Sequence, residues 1–537
     1  MTFDYIIIGA GSAGCVLAER LSANGRNSVL VLEAGGTDQR LFVQMPLGYG
    51  KTFYDPRVNW MYATEADPGL NGQVGYWPRG KVLGGSSSIN AMVYIRGARE
   101  DFEDWEAQGN AGWGWADVLK AYRAMEDNEA GANAYRGTNG PLFVNDNSRH
   151  MHPLYEPFVK AANAAGLPHN PDFNGATMEG VGNYQITTKN GRRMSAARAF
   201  LRPAMKRRNV KVESHAHATR IIFDGKRASG VEYIVKGQKK IVHAGREIIV
   251  CSGAVNSPQL LQLSGIGAGK TLQKNNIAVV VDNANVGAHL QDHLGLNYVY
   301  RATIPTLNDE LRSWWGKLRV GLRYVLNRSG PLSQSVNQGG GFFRSSQGQA
   351  RANLQLYMQA ITTVVHKPME RPLLTPDSFS GFSLGLSSCR PSSRGFIEIQ
   401  SADPFQQPRI VANAYSTDED VQEMLEGVKF IRKIAAQEPL AGLIAEELQP
   451  GPACVSDEDL IVDLRQRSAT IYHPSSTCRM GTSPKTSVVD PRLRVHGIQN
   501  LRICDASIFP NLLTGNINAP SMMVGWRGAE IILSDSV

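Results

Sequence analysis

The sequence predicts an α/β fold built around a nucleotide-binding βαβ unit. Three observations carry that prediction. The N-terminus reads as strand, glycine-rich turn, helix and strand; a second strand, turn and helix recur near residue 250; and apolar residues make up 42% against 19% charged, the balance of a globular chain. At 537 residues the chain exceeds one ordinary core, so two domains or one large interrupted domain are expected.

Taken in order, Tyr5 to Ile8 is a β-branched apolar run suited to a parallel strand buried on both faces. Gly9-Ala10-Gly11-Ser12-Ala13-Gly14 follows at once, and Val16, Leu17, Ala18 and Leu21 then recur at helical spacing. Ser28 to Glu33 (SVLVLE) is the second strand. In GxGxxG one glycine makes the tight turn, one admits a pyrophosphate against backbone, and one lets the helix pack on the strand. The helix N-terminus supplies free N–H groups for phosphates. Glu33 closes the second strand about 20 residues past the last glycine, where a carboxylate accepts from an adenosine ribose and repels a 2′-phosphate. The fingerprint implies a dinucleotide and leaves NAD and FAD open. The apolar run at the start is short, lacks a basic lead and enters the glycine turn directly, so it reads as a buried strand and not a signal peptide.

Further along, GKVLGGSSSINAMVYIRG (Gly80 to Gly97) offers a small-residue loop able to lie against a flat ring, although serines of this kind alone equally suit an ordinary loop. Between Thr219 and Ile249, alternating runs broken by DGKR and KGQKK read as a β-meander leading into IIVCSGA. Gly253-Ala254 ends that strand, and Ser257-Pro258 opens the next helix. Near the C-terminus, HPSSTCRMG (His473 to Gly481) suits a base, a zinc ligand beside Cys478, or packing, and the nine residues do not choose. A zinc site needs further ligands at spacing, and Ser86 lacks the GxSxG elbow of a hydrolase, so both of those readings recede.

Composition narrows the class. The net charge of +8 arises from scattered pairs such as Arg192-Arg193, Arg207-Arg208 and Lys239-Lys240, with no dense basic stripe, so no nucleic acid is expected. A weak attraction to anionic lipid, and hence peripheral contact at the inner face of a membrane, is compatible with that charge. Six cysteines without a CxxC read as free thiols in a reducing, cytoplasmic setting, and no run of about 18 apolar residues calls for a spanning helix. No metal is expected, and oligomeric state is not readable.

The Gly80 to Gly97 loop and GAVNSPQLLQLSGIG (Gly253 to Gly267) resemble both signatures of the glucose-methanol-choline oxidoreductase family. LEAGG (Leu32 to Gly36), VGAHLQDH (Val286 to His293) and VVDPRLRVHGIQNLRICDAS extend the likeness along essentially the whole chain. It is nearest to the bacterial branch holding choline dehydrogenase, alcohol dehydrogenases using an acceptor, and sorbose dehydrogenase. The resemblance implies FAD. It also implies an α+β whole: a Rossmann-like FAD domain assembled from 1–150, 201–300 and 460–537, and a substrate domain from 151–200 and 301–459, a sheet with covering helices roofing the flavin.

By the same resemblance His473 and Asn516, from TGNINAP, are the catalytic pair on one face of the flavin. Gly9, Gly11, Ser12, Ala13, Gly14, Glu33, Ala34, Val82, Gly85, Ser86, Asn90, Ala91, Val93, Ala218, Gly253, Asp505, Ala506 and Asn518 hold the cofactor with Asn516. Asn518 is expected at the pyrimidine ring, Asp505 and Ala506 at the phosphate or ribityl chain, and Ala218 at the adenine. Some members attach FAD through a His before the Asn of the first signature; Ile89 stands there, so noncovalent FAD is expected. The implied activity is oxidation of a primary alcohol, polyol or choline-like substrate to the aldehyde, with electrons passing to a quinone-type acceptor; an oxygen-using oxidase and a non-redox hydroxynitrile lyase are the family's alternatives. Trp314-Trp315, Phe342-Phe343 and Tyr357 are candidates for the pocket wall, against a default of core, and His150 and His366 read as surface histidines.

Overall fold

The computed structural model describes residues 2–148, 151–363 and 375–535; His150 and His366 lie outside them. Two sheets organise the chain. In the first, parallel strands run in the order Val210–Ser214, Val29–Glu33, Thr2–Ile8 and Gln238–Val250, with Leu501–Ile503 beside the last. Val29–Glu33 is buried at every position, as a central parallel strand covered on both faces must be. Gln238–Val250 serves two neighbours. Its first half closes the expected meander with Ala216–Asp224 and Arg227–Val235, and its second half pairs with Thr2–Ile8.

The chain end returns to this unit. Helix Asn518–Asp535 packs along helix Ser12–Ser22, and Gly525 lies over Ala13 so closely that a Cβ there would stand 2.6 Å from the Ala13 carbonyl oxygen. Arg502, buried in the last strand, donates to both oxygens of Glu247 at 2.7 and 2.8 Å and to Asp535 at 2.8 Å. These contacts make the separated segments one core.

The second sheet is antiparallel, in the order Ile444–Gln449, Leu294–Ala302, Gly381–Ser388, Leu354–Gln359, Asn337–Phe343 and Gly180–Asn183, with Ala469–Thr470 beside Leu294–Ala302. Its alternation sorts side chains by face. Leu354, Leu356 and Met358 enter the apolar cluster shared with helix Asp418–Ala435, while Tyr357 and Gln359 turn toward the cavity described below. That helix carries Thr417 as its N-cap, three acids in its first turn and Arg432 and Lys433 in its last, the arrangement its dipole favours. A division of the chain at residue 300 would cut Leu294–Ala302; we propose that the boundary falls before Leu294 instead.

The aromatic candidates separate. Phe342 and Phe343 are core and Tyr357 lines the cavity, but Trp314 and Trp315 are 66% and 73% exposed, neither wall nor core, because their helix turns that edge outward.

Two glycine replacements test this packing. Gly525→Ala forces a methyl against helix backbone and is expected to cost about 1–3 kcal/mol. At Gly321, on an outer helix, a Cβ meets nothing within 4 Å. Gly321→Ala is expected to be neutral or to gain up to about 1 kcal/mol. Urea denaturation of the two variants beside the parent measures both, and equal stabilities would contradict the tight crossing at Gly525.

Candidate active site

One cavity of about 530 Å³ is lined both by Glu33, at the C-terminal end of a parallel strand, and by His473, under the antiparallel sheet. Its first portion is the crevice at the carboxyl ends of the parallel strands, where open α/β sheets receive ligands. The glycines there do different work. A Cβ on Gly14 would stand 2.0 Å from the Gly9 carbonyl oxygen, so Gly14 is required for helix–strand packing and lies behind the wall. Gly11 has φ −77° and a Cβ there would find no protein atom nearer than 3.8 Å. Neither strain nor packing demands glycine at 11; it keeps the cavity side open for something that must approach the backbone closely. Gly85, at φ +53°, has no room for a Cβ, which would stand 2.7 Å from Gly11 Cα.

The remaining donors and acceptors fit a dinucleotide. Helix Ser12–Ser22 begins without a side-chain cap, leaving its first N–H groups to a phosphate. Glu33 accepts from Ala10 N at 2.9 Å and Gly35 N at 2.8 Å; burial raises its pKa to about 7 against those bonds. Ala34, Ala218 and Gly253 line the same region. Asp505 is more committed than the sequence indicated. It accepts from Gly253 N, Ser257 Oγ and Ser507 N at 2.8, 2.6 and 2.8 Å, tying the turn at 252–257 to Ala506 and Ser507. Asn518 likewise accepts from Ser12 Oγ at 2.8 Å, joining the N-termini of the first and last helices and leaving its amide N–H for the cavity.

The Gly80–Gly97 loop is held from behind by a residue that the sequence alone places in a scattered, solvated pair, Arg192-Arg193; only Arg192 is exposed. Arg193, fully buried, donates to the Asn90 carbonyl and side-chain oxygens at 2.6 and 2.7 Å and to Val43 O at 3.0 Å. Burial brings its pKa down to about 9. Ser86, Asn90, Ala91 and Val93 thereby face the cavity, whereas Val82 sits behind it among Val43, Val58 and Ile89. Gly14 and Val82 are thus the two sequence-named cofactor residues that do not reach the wall.

At the other end, residues 471–475 run against 291–293, with backbone bonds from Ile471 N to His293 O and from Ser475 N to Gln291 O, both 2.9 Å. This brings His293 beside His473, their rings perpendicular and Nδ1 to Nδ1 at 2.9 Å. His293 Nε2 lies 2.9 Å from the Cys389 carbonyl, which can only accept. Burial lowers the His293 pKa to about 4 and, with His293 and Arg79 nearby, places that of His473 well below 6.5. For two neutral rings one assignment satisfies these contacts: His293 carries its proton on Nε2, His473 donates from Nδ1 to His293, and His473 Nε2 is unprotonated, an acceptor.

That nitrogen accepts from Asn516 Nδ2 at 3.2 Å, and Asn516 Oδ1 in turn accepts from Gln355 at 3.2 Å. Gly515, at φ +85° with Ile95 and Phe342 pressed close, turns the loop so that Asn516 points inward. Behind His473, Asp292 accepts its backbone N–H at 2.7 Å and the Thr470 hydroxyl. Desolvation raises the Asp292 carboxyl to about 6 and lowers half-buried Arg79, which donates to Tyr472 O at 2.7 Å, to about 10. Cys478 is in the apolar core of the parallel sheet. His293, Asp292, Arg79 and Arg193 were not assigned from sequence; His293 and Asp292 do fall inside VGAHLQDH, so that motif was their signal.

The chain was compared with known proteins. A family model described as GMC oxidoreductase matches residues 3–295, and a second of the same description matches 391–525. The alcohol dehydrogenase [acceptor] of Pseudomonas putida is 44% identical over 99% of this chain and 96% of its own length. The mitochondrial choline dehydrogenase of Homo sapiens is 41% identical, covering 99% and 89%. The crystal structure of pyridoxine 4-oxidase from Mesorbium loti superposes with a TM-score of 0.89 at 29% identity, over 98% of each chain.

His293 is neutral when folded and takes up a proton on unfolding below about pH 6.5. Its contribution is complete above that value and is lost as pH falls toward about 4. Glu33 and Asp292, whose pKa values are raised, titrate with the opposite sign, so the His293 effect is read by difference. The stability gap between the parent and His293→Phe is expected to shrink by about 2 kcal/mol from pH 7 to pH 5. A gap independent of pH in urea titrations would refute the neutral assignment.

Proposed function

From membership of the GMC oxidoreductase family, to which this chain belongs, we propose that it oxidises an uncharged primary alcohol to its aldehyde, with His473 and Asn516 as the catalytic pair and a quinone-type compound as final acceptor. The protein is an FAD-dependent oxidoreductase. The observation that carries the reading is the unprotonated His473 Nε2 paired at 3.2 Å with the Asn516 amide, in the same cavity as the nucleotide cradle.

A substrate hydroxyl placed beside that pair replaces the bond between them, donating its proton to Nε2 and accepting from Asn516 Nδ2. Loss of that proton is what lets a hydride leave the neighbouring carbon. When bound, FAD supplies the hydride acceptor, and the alcohol becomes the aldehyde. His293 is a positioning residue: by accepting from His473 Nδ1 it keeps the basic nitrogen aimed at substrate. The imidazolium formed at His473 is stabilised by the same bond but lies near Arg79, so it must release its proton readily for the next turnover.

The cavity wall supports the substrate class. Leu296, Val299, Val336, Ile361 and Ile471 supply apolar surface, with Asn297, Asn337, Gln359 and Ser383 between them. Among the described lining residues the carboxylates are Glu33 and Asp505, both engaged by N–H groups at the nucleotide end. No carboxylate there faces the His473 end, so a quaternary ammonium would be buried without a counter-charge. A neutral alkyl or weakly polar tail fits better than choline. Ile89, packed against Val43, Val58 and Val82, offers no nucleophile for a bond to the flavin, which supports noncovalent attachment.

Four measurements test the reading. Anaerobic addition of a primary alkanol is expected to bleach the bound flavin, with kcat/KM exceeding that for choline by at least about tenfold; preference for choline, or no bleaching with any alcohol, would reverse the assignment. His473→Ala should slow the reduction by about 10²–10⁴-fold. His293→Phe should lower kcat about 10–100-fold with KM little changed. Denaturation of the holoenzyme should release FAD into the supernatant.

A further inference from the structure

We propose that helix Trp314–Asn327 is a docking face for an anionic lipid surface, laid in the membrane interface beside the substrate domain. Fifteen large apolar side chains are exposed over the described surface, and six of them, Trp314, Trp315, Leu318, Leu322, Val325 and Leu326, belong to this one helix of 14 residues. At 3.6 residues per turn they fall within about 120° of arc. Val320 and Tyr324, its buried residues, anchor the opposite side. The stripe is therefore no defect of folding: the helix has a core face of its own and a second apolar face turned to solvent.

The charges choose the occupant. Lys317 borders the stripe on one side, Arg319 and Arg323 on the other, all exposed, and among the described residues none of the three is in an ion pair. The helix contains no Asp or Glu. An apolar stripe flanked on both edges by free cations, with a tryptophan pair at one end, matches the chemistry of the headgroup boundary: hydrocarbon below, anionic phosphate at the rim. A protein interface would also accept tryptophan and arginine, but this helix offers cations on both edges and no carboxylate, the one-signed rim that an anionic surface complements.

The position of the helix gives docking a use. Ser313 alone separates it from helix Leu307–Arg312, and Asn308 of that helix exchanges hydrogen bonds with Thr362, donating to Oγ1 at 2.8 Å and accepting from its N–H at 3.0 Å. Thr362 lines the cavity. A bilayer held against Trp314–Asn327 would lie next to the wall of the substrate chamber, where apolar alcohols dissolved in lipid are concentrated.

The test uses full-length holoenzyme with phosphatidylcholine vesicles, with and without phosphatidylglycerol, read by flotation and tryptophan emission. Binding is expected with the anionic vesicles, weakening with salt, together with a blue shift of the emission. The triple change Lys317→Glu, Arg319→Glu, Arg323→Glu should lower the partition coefficient on the order of a hundredfold or more. The double change Trp315→Ser, Leu322→Ser should remove the blue shift, and alcohol-dependent flavin reduction in detergent-free buffer reports that each variant is folded. The proposal fails if the parent ignores both vesicle types, or if neither set of changes alters binding. It also fails if sedimentation shows a dimer that the Trp315, Leu322 variant dissociates while vesicles bind neither protein, because the face then belongs to a second copy of this chain.

Discussion

The 2.9 Å contact between His293 Nδ1 and His473 Nδ1 decides where the one mobile proton of the site sits. Imidazole offers two nitrogens of similar basicity, and nothing within His473 itself prefers one. The choice is made remotely: the Cys389 carbonyl accepts from His293 Nε2, which makes His293 Nδ1 an acceptor, which makes His473 Nδ1 a donor, and so leaves His473 Nε2 an acceptor beside Asn516. A break anywhere in that chain of hydrogen bonds would present an N–H to the substrate hydroxyl. On the proposed mechanism such a ring could hold an alcohol but not deprotonate it.

Holding both rings neutral requires burial, and burial has consequences throughout the site. The desolvation that depresses both histidines also raises Glu33 and Asp292 and lowers Arg79 and Arg193, so the charges that remain are each tied to backbone. Arg193 shows the pattern best. Its guanidinium is spread over carbonyls of the Val43 and Asn90 segments, and it fixes the loop whose small residues form the cavity wall. The Arg is there for geometry, since planar donors can bind several carbonyls at once.

How much of this was legible in the sequence follows from how far each interaction reaches. The βαβ unit, Glu33 and the meander depend on neighbours within tens of residues, so periodicity and glycine spacing reported them. His473 and Asn516 became legible through resemblance alone, as no local pattern joins residues 43 apart in different loops. Arg193 and Arg79 were not legible, because an arginine, alone or beside another as Arg193 is, reads as surface until its burial is known. Trp314 and Trp315 misled for the complementary reason: large aromatics are usually buried, and only the orientation of their helix shows that these are not.

Gly11 and Gly14 show why two identical letters in one motif need separate explanations. Gly14 would be required even if nothing ever bound, because the helix cannot approach the strand with a methyl there. Gly11 is under no such demand: its φ is ordinary and a methyl would project into open space. A residue type that the folded protein does not need, at a cavity wall beside an uncapped helix N-terminus, is accounted for by close approach of a ligand's phosphates to the backbone. The distinction separates the part of the fingerprint that builds the fold from the part that serves the cofactor. It predicts different failures for the two positions: Gly14→Ala should fail to fold, while Gly11→Ala should fold and bind FAD poorly. Equal stability of the two apoproteins by urea denaturation would overturn that division of labour.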